Sequence, residues 1–401
     1  DGIMIIEASP DGYELAVNAV PLASYFSMPI IITDEMSPEA VTVVENLGVT
    51  HSITIGNIEG YGSTMNLRSV DEIVNATVET VKNKFGEVNY ITLTNPLDIV
   101  QPSVIENVTY HFEGQVSSSN FLLAQAMGLA TGFLQGIPVM ASHEFTVPEE
   151  YTYARITIDV QNMEGERADE KGETLWSLFY GPDGEMLAYL FGDGGIPLRN
   201  EDGVIIEDSI HYETVMCNHP GEYSISVTGR FLTRKYGTYS VDVTVENLES
   251  SIGPLMPGLS SMAPYLTACR QGIIVADSAF IFANHESITG NIVSGSAFTA
   301  SNPGLVELSN QHTFQIHARL NVLLAEIKSI DLDVDGLQSL REACKQNPVH
   351  IALVGDTTML PQYYYYDTED AISLFYGWDC PSDFIYSNVD AVPRNDGVTR
   401  F

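Results

Sequence analysis

Asp331-Leu-Asp333-Val-Asp335-Gly336, with Glu342 at the twelfth position, is the stretch whose residue types and spacing most plainly suit chemistry. Alternate carboxylates converge when the chain turns sharply at the glycine, and the last glutamate can chelate with both oxygens. That is the ligand spacing of a calcium loop. Asp331, Asp333, Asp335 and Glu342 are the expected ligands, and calcium the expected ion. Gln338 stands where such loops carry an aliphatic residue. The same residues therefore also read as an acidic loop in which Asp335 caps the following helix. Val349–Asp356, an apolar run entering a Gly-Asp turn, is the kind of place where α/β enzymes put their chemistry, but without a catalytic set of residues it reads as scaffold.

Nucleophilic catalysis by cysteine needs a thiolate, a histidine to activate it and an oxyanion site. Cys380 lies in Trp-Asp-Cys-Pro-Ser and His350 opens a strand rather than closing one, so both are expected to be structural, and no catalytic residue is expected. Cys217-Asn-His219 and His285-Glu286 are fragments of metal-ligand patterns without a convincing set of partners. They read as loops, and Asp183-Gly184 and Glu201-Asp-Gly203 read as ordinary turns. Gly192-Asp-Gly-Gly195 lacks the strand-to-helix setting that dinucleotide binding requires.

Composition narrows the partners. The 401 residues carry 53 Asp+Glu against 17 Lys+Arg, a net charge of −36. Such a field repels nucleic-acid phosphates and anionic lipid surfaces, and it suits divalent cations, high salt or an extracellular surface. With 44% apolar residues, the chain has the make-up of a globular protein. It opens at Asp1 inside a strand pattern, as a processed or excised chain would. Asn75-Ala-Thr77 and Asn107-Val-Thr109 are the expected glycosylation sites of an exported protein. Cys217, Cys269, Cys344 and Cys380 allow three pairings, and their spacing does not choose among them.

The elements that must position these residues alternate strand and helix over the first hundred residues. Strands are expected at Ile3–Glu7, Pro29–Thr33, Ser52–Gly56 and Tyr90–Thr94, and helices at Gly12–Phe26, from Pro38 to Leu47, and around Asp71–Phe85. Ile/Val-rich runs in this rhythm imply a parallel sheet covered on both faces. Three stretches, starting at Ala19, Leu123 and Met262, share a small-residue helix, a short turn and an apolar strand, the pattern of a degenerate repeat. By that comparison Phe121–Met140, despite its Gly128, Gly132 and Gly136 spacing, is helix plus strand, broken by Gln125, Gln135 and Pro138. No membrane span is expected.

From about Phe145 the period becomes two. Tyr223/Ile225/Val227 share one face, as do Tyr239/Val241/Val243/Val245, and Leu175–Phe191 reads as two strands about Pro182-Asp-Gly184. The expected organisation is an α/β domain at 1–144, an all-β sandwich at 145–250, and a second α/β domain at 251–401. The last contains helices at Gln311–Lys328 and Gly336–Gln346 and a run, Tyr363–Tyr366, alternating between core and surface. The fold class is thus α/β, in Rossmann-like parallel-sheet modules, with an inserted sandwich.

Two resemblances add to this reading. Ala19-Val-Pro-Leu-Ala23, Pro29-Ile-Ile-Ile-Thr33 and Ile55-Gly56 fall in the order found in the cell-wall-binding repeat of prokaryotic surface proteins, and residues 1–57 resemble that family. Asn57 replaces its second closing glycine. The resemblance implies an exported, envelope-associated protein. The run from His350 through Asp356 and Pro361, with Pro381-Ser-Asp-Phe-Ile-Tyr386 and Asp390, resembles the front of a gingipain-type cysteine peptidase domain. The Gly-His-Gly and cysteine of that family do not occur in this chain. Together these imply an extracellular structural or adhesive surface protein of an archaeal or other prokaryotic envelope, sheath or surface layer. It would self-assemble into a homo-oligomer or polymer, with calcium involved. The alternatives are a non-catalytic front part of a surface peptidase and a monomeric module binding a cell-wall polymer.

Overall fold

A computed structural model describes residues 2–117, 137–162, 174–191, 198–199, 205–207, 209–230, 236–282, 289–295, 302–333, 335–366 and 379–389. The chain begins β1 (Gly2–Glu7), α1 (Pro10–Phe26), β2 (Ile30–Thr33), α2 (Pro38–Asn46), β3 (His51–Ile55), β4 (Ser63–Leu67), α3 (Val70–Phe85) and β5 (Tyr90–Thr94). Strands β1–β4 form one parallel sheet in the order β2-β1-β3-β4. Helix α1 starts where Ser9 Oγ accepts from Gly12 N and Pro10 takes the first turn, and it ends at Ser27 in the left-handed region, φ 55°. The edge strand β4, Ser-Thr-Met-Asn-Leu, buries only Leu67, so its sequence carries little apolar signal.

The sandwich follows. Its strands are β6 (Val104–Ser117), β7 (Met140–Val147), β8 (Tyr153–Asn162), β9 (Thr174–Tyr180), β10 (Met186–Phe191), the ribbon β11 (Leu198–Arg199) and β12 (Ile205–Glu207), β13 (Ser209–Cys217), β14 (Gly221–Arg230) and β15 (Tyr236–Leu248). One antiparallel sheet runs β10-β9-β14-β7. The other runs β17-β13-β8-β15-β6, with β17 (Gly290–Asn291) joining from far along the chain. Between them lie Tyr223, Ile225 and Val227 from one sheet and Tyr239, Val241, Val243 and Val245 from the other, all essentially sealed from solvent, with the rings of Phe145, Phe179 and Tyr223 stacked 5.7–6.1 Å apart. The two faces expected from the period-two runs meet here.

The remaining elements are α4 (Ala263–Cys269), β16 (Ile273–Ala276), α5 (Pro303–Lys328), α6 (Gly336–Gln346), β18 (His350–Val354), β19 (Tyr363–Tyr366) and β20 (Asp379–Ser382). Strand β5 is the centre of a second parallel sheet, β16-β5-β18. Helices α3 and α5 cover it, Val74, Val78 and Val81 meeting Ile91, Leu93, Ile273, Ile316 and Leu320 in one core. Asn18 of α1 is buried and reaches the outer edge of β16: its amide donates to Ala276 O and accepts from Ala276 N, each at 2.8 Å. A side chain thus satisfies an edge that another strand would otherwise pair with.

Sheet membership redraws the expected division. Strand β6 pairs with β15 over Val104–Ser117, so the sandwich begins near residue 104 rather than 145, while β5 belongs with strands beyond residue 270. The long strand was hidden because it lies at a sheet edge, exposed along most of its length. The strand of the second repeat member, β7, runs antiparallel in the sandwich, so only the first and third members are α/β units. The helix expected before it lies largely outside the described residues. Among those described, no helix is long and apolar enough to cross a membrane.

Candidate metal centre

The order β16-β5-β18 reverses at β5, and α/β folds bind ligands outside the carboxyl ends of strands at such a point. Here the chain's own connector is tied across part of those ends. Buried Asp98 accepts from Ser260 N and Ser260 Oγ, both at 2.5 Å, and its carbonyl accepts from Gly258 N at 3.1 Å. Asp356, of the Gly-Asp turn, accepts from Met256 N at 2.8 Å, Thr358 N at 2.9 Å and Met359 N at 3.2 Å. Asp277 takes Ala279 N and the Arg319 guanidinium at 2.6 Å. The connector 250–262 is laced across the strand ends by the carboxylates that would face a substrate in an open site. His350 sits at the opposite end of β18, its N–H donating to Asn89 O, and Cys380 is exposed on β20.

Asp331, Asp333, Asp335 and Glu342 are exposed and do not gather. No three of their carboxylates approach within 4.8 Å of one another. Helix α6 begins at Gly336, ahead of where a calcium loop would still be turning. Gly336 N donates to Asp333 O, and an added Cβ there would lie 2.3 Å from Asp331 O. Asp335 holds the cap position without a side-chain hydrogen bond, and Glu342 accepts from Gln338 Nε2 at 2.8 Å. Of the sequons, Asn75 is exposed on α3 but Thr77 is buried, its hydroxyl donating to Ile73 O. Asn107 and Thr109 are both exposed on edge strand β6. Cys217 is buried, Cys344 half-buried, Cys269 and Cys380 exposed, and no two of them are joined. His285-Glu286, Gly192–Gly195 and Glu201–Gly203 lie outside the described residues.

Two fragments that sequence alone reads separately as turn and loop come together at one end of the sandwich. The β9–β10 turn, Gly181-Pro-Asp-Gly-Glu185, and the β13–β14 loop, Asn218-His-Pro220, are neighbours because Tyr180 pairs with Ser224 across β9 and β14. Asp183, Glu185 and His219 then bring one ligand atom each within 4.8 Å of one another, a group able to hold a metal ion. An added Cβ on Gly181 would lie 2.0 Å from Glu185 Oε1, so glycine is what admits the carboxylate. Both Glu185 oxygens are shielded from solvent and receive no hydrogen bond from the described residues. A buried charge left in that state is costly.

The histidine is oriented for ligation. Tyr223 has one hydroxyl proton, which it donates to His219 O at 2.6 Å, so the 2.7 Å contact with His219 Nδ1 requires the ring to donate to the Tyr223 oxygen. In the neutral ring this leaves Nε2 as the electron-pair donor, 3.5 Å from Glu185 Oε1. Burial raises the Tyr223 pKa, and the Glu185 and Asp183 carboxylates push it further, so the hydroxyl keeps its proton.

No protein-family model and no curated protein matches this chain. Among solved structures, it is similar to the pre-peptidase C-terminal domain of collagenase from Bacillus anthracis, at 16% identity over 39% of this chain and 94% of that one, TM-score 0.20. The infectious bursal disease virus VP2 subviral particle matches at 11% identity over 36% of this chain and 34% of that one, TM-score 0.21. The glycosylation-associated Gap123 complex from Streptococcus agalactiae matches at 9% identity over 61% of this chain and 49% of that one, TM-score 0.15. At such scores these likenesses carry no argument about what this chain does.

Proposed function

We propose that this chain is a non-catalytic structural or adhesive subunit of a prokaryotic cell surface, assembling with copies of itself outside the cell. The observation that carries it is the tying of the connector 250–262 across the carboxyl ends of β16-β5-β18. Asp98 and Asp356, placed where an α/β enzyme meets its substrate, spend their oxygens on the connector's backbone and Ser260. The α/β part is then a scaffold joined to a sandwich. Two further features favour assembly: edge strand β2 exposes Ile30 and Ile32, and edge strand β6 exposes Val104 and Ile105. Unpaired apolar edges are templates for pairing with another chain. With a net charge of −36 on each copy, association is favoured by counter-cations that screen it, and calcium is the one to test.

The test is electron microscopy of the purified chain with and without millimolar calcium. Ordered sheets or tubes that dissolve on chelation and fail to form in an Ile32→Lys, Ile105→Lys double variant are the expected result. Monodisperse particles in every condition overturn the assembly reading. Saturable binding of those particles to isolated wall material would then make the chain a monomeric binding module.

A further inference from the structure

We propose that Asp183, Glu185 and His219 bind a divalent transition-metal ion of the zinc class, clamping the β9–β10 turn to the β13–β14 loop. Such a clamp is independent of whether the chain assembles. Three donor atoms from two loops lie within 4.8 Å of one another. Two carboxylates plus an imidazole nitrogen match zinc-class ions, whereas calcium takes six to eight oxygens. The independent observation is Glu185: its two oxygens are closed off from solvent, yet no described residue donates to either. Opposite them, 3.5 Å from Glu185 Oε1, stands Nε2 of a ring whose Nδ1 is engaged by Tyr223. A cation at that point takes a ligand atom from each. Asp183, the exposed member, supplies the ligand on the solvent side and leaves a path of entry.

Tyr223 is the positioning residue. By fixing which nitrogen of His219 carries the proton, it does what a second-layer carboxylate or carbonyl does for other ligating histidines. Its ring is held by the stack with Phe145 and Phe179, so the imidazole inherits the rigidity of the sandwich core.

The experiment uses the full chain stripped with a chelator and titrated with Co(II), whose visible absorption reports its coordination, followed by displacement with Zn(II). One equivalent of Co(II) with tetrahedral or five-coordinate bands, displaced by Zn(II) and not by equimolar Ca(II), is expected. Glu185→Gln and His219→Gln should each abolish the signal, and Tyr223→Phe should weaken Co(II) binding by roughly 10- to 100-fold. Far-UV circular dichroism of each metal-free variant separates loss of ligand from loss of fold, and Asp183→Asn, at an exposed position, serves if a buried variant does not fold. Co(II) bands unchanged in Glu185→Gln and Asp183→Asn would overturn the site. So would displacement by equimolar Ca(II), or a His219 ring shown by NMR to hold both protons at neutral pH with added metal present.

Discussion

Two places in this molecule bury carboxylates at loop clusters, and they solve the problem in opposite ways. At the carboxyl ends of β16-β5-β18, Asp98 and Asp356 are surrounded by N–H and O–H donors from the connector and from their own turns. At the end of the sandwich, Glu185 is enclosed with no donor from the described residues and with an imidazole nitrogen facing it. Chemically similar groups therefore carry different meanings. A buried carboxylate with its donors in place is a structural tie, and one without them is half of a cation site. The Gly-Asp turn, enzyme-like in sequence, belongs to the first kind, and the Pro-Asp-Gly-x turn, ordinary in sequence, to the second.

The contrast can be broken from either side. The largest expected effect is at Asp98. Asp98→Ala strands Ser260 N and Oγ in a buried site and should cost roughly 3 kcal/mol of stability, read as a lower urea midpoint. Asn18→Ala leaves the N–H and C=O of Ala276 without their side-chain partner, and roughly 2 kcal/mol should be lost by the same measurement. Glu185→Gln in metal-free protein should instead leave stability unchanged or raise it by up to about 1 kcal/mol, because it removes a charge to which no described residue donates a hydrogen bond. A loss equal to that of Asp98→Ala would erase the distinction.

The smallest effect concerns pH and the outer face of the sandwich. Across β6, β15, β8 and β13, the row His111, Asp242, Asp159, His211 sets two aspartates opposite each other, each 2.7 Å from a histidine Nδ1. The hydrogen bond that His111 donates to Asp242, helped by Glu113, raises the His111 pKa above its usual value. A raised folded-state pKa contributes stability that is fully present below the unfolded pKa of about 6.5 and disappears as pH rises through the folded value. His111→Gln should therefore narrow the gap in melting temperature between pH 6 and pH 8, and an NMR titration of His111 should place its midpoint above 6.5. An unchanged gap together with an ordinary midpoint would remove this row from the comparison.

Much of the fold was legible in sequence because its signals are local. The Ile/Val runs of β1, β2, β3 and β5, the Pro38 start of α2, and the alternation in β14 and β15 are each decided within ten residues or so. What escaped were strands whose side chains face mainly water, β4 and β6, since an edge strand needs little apolar pattern to be held by its neighbour's backbone. The calcium spacing at Asp331–Glu342 satisfied a sequence rule, but α6 begins too early for the four carboxylates to meet.

The sequence by itself determined the element types, the two layers of the sandwich and the acidic surface, because periodicity and charge are properties of short windows of chain. Tertiary structure alone decided that β5 lies between strands reached some 180 and 260 residues later in the chain, that the connector is tied to Asp98 beyond its carboxyl end, and that Asp183 and Glu185 meet His219. Each of these depends on the register between strands remote in sequence, and register is fixed by the packing of the whole core rather than by any segment within it.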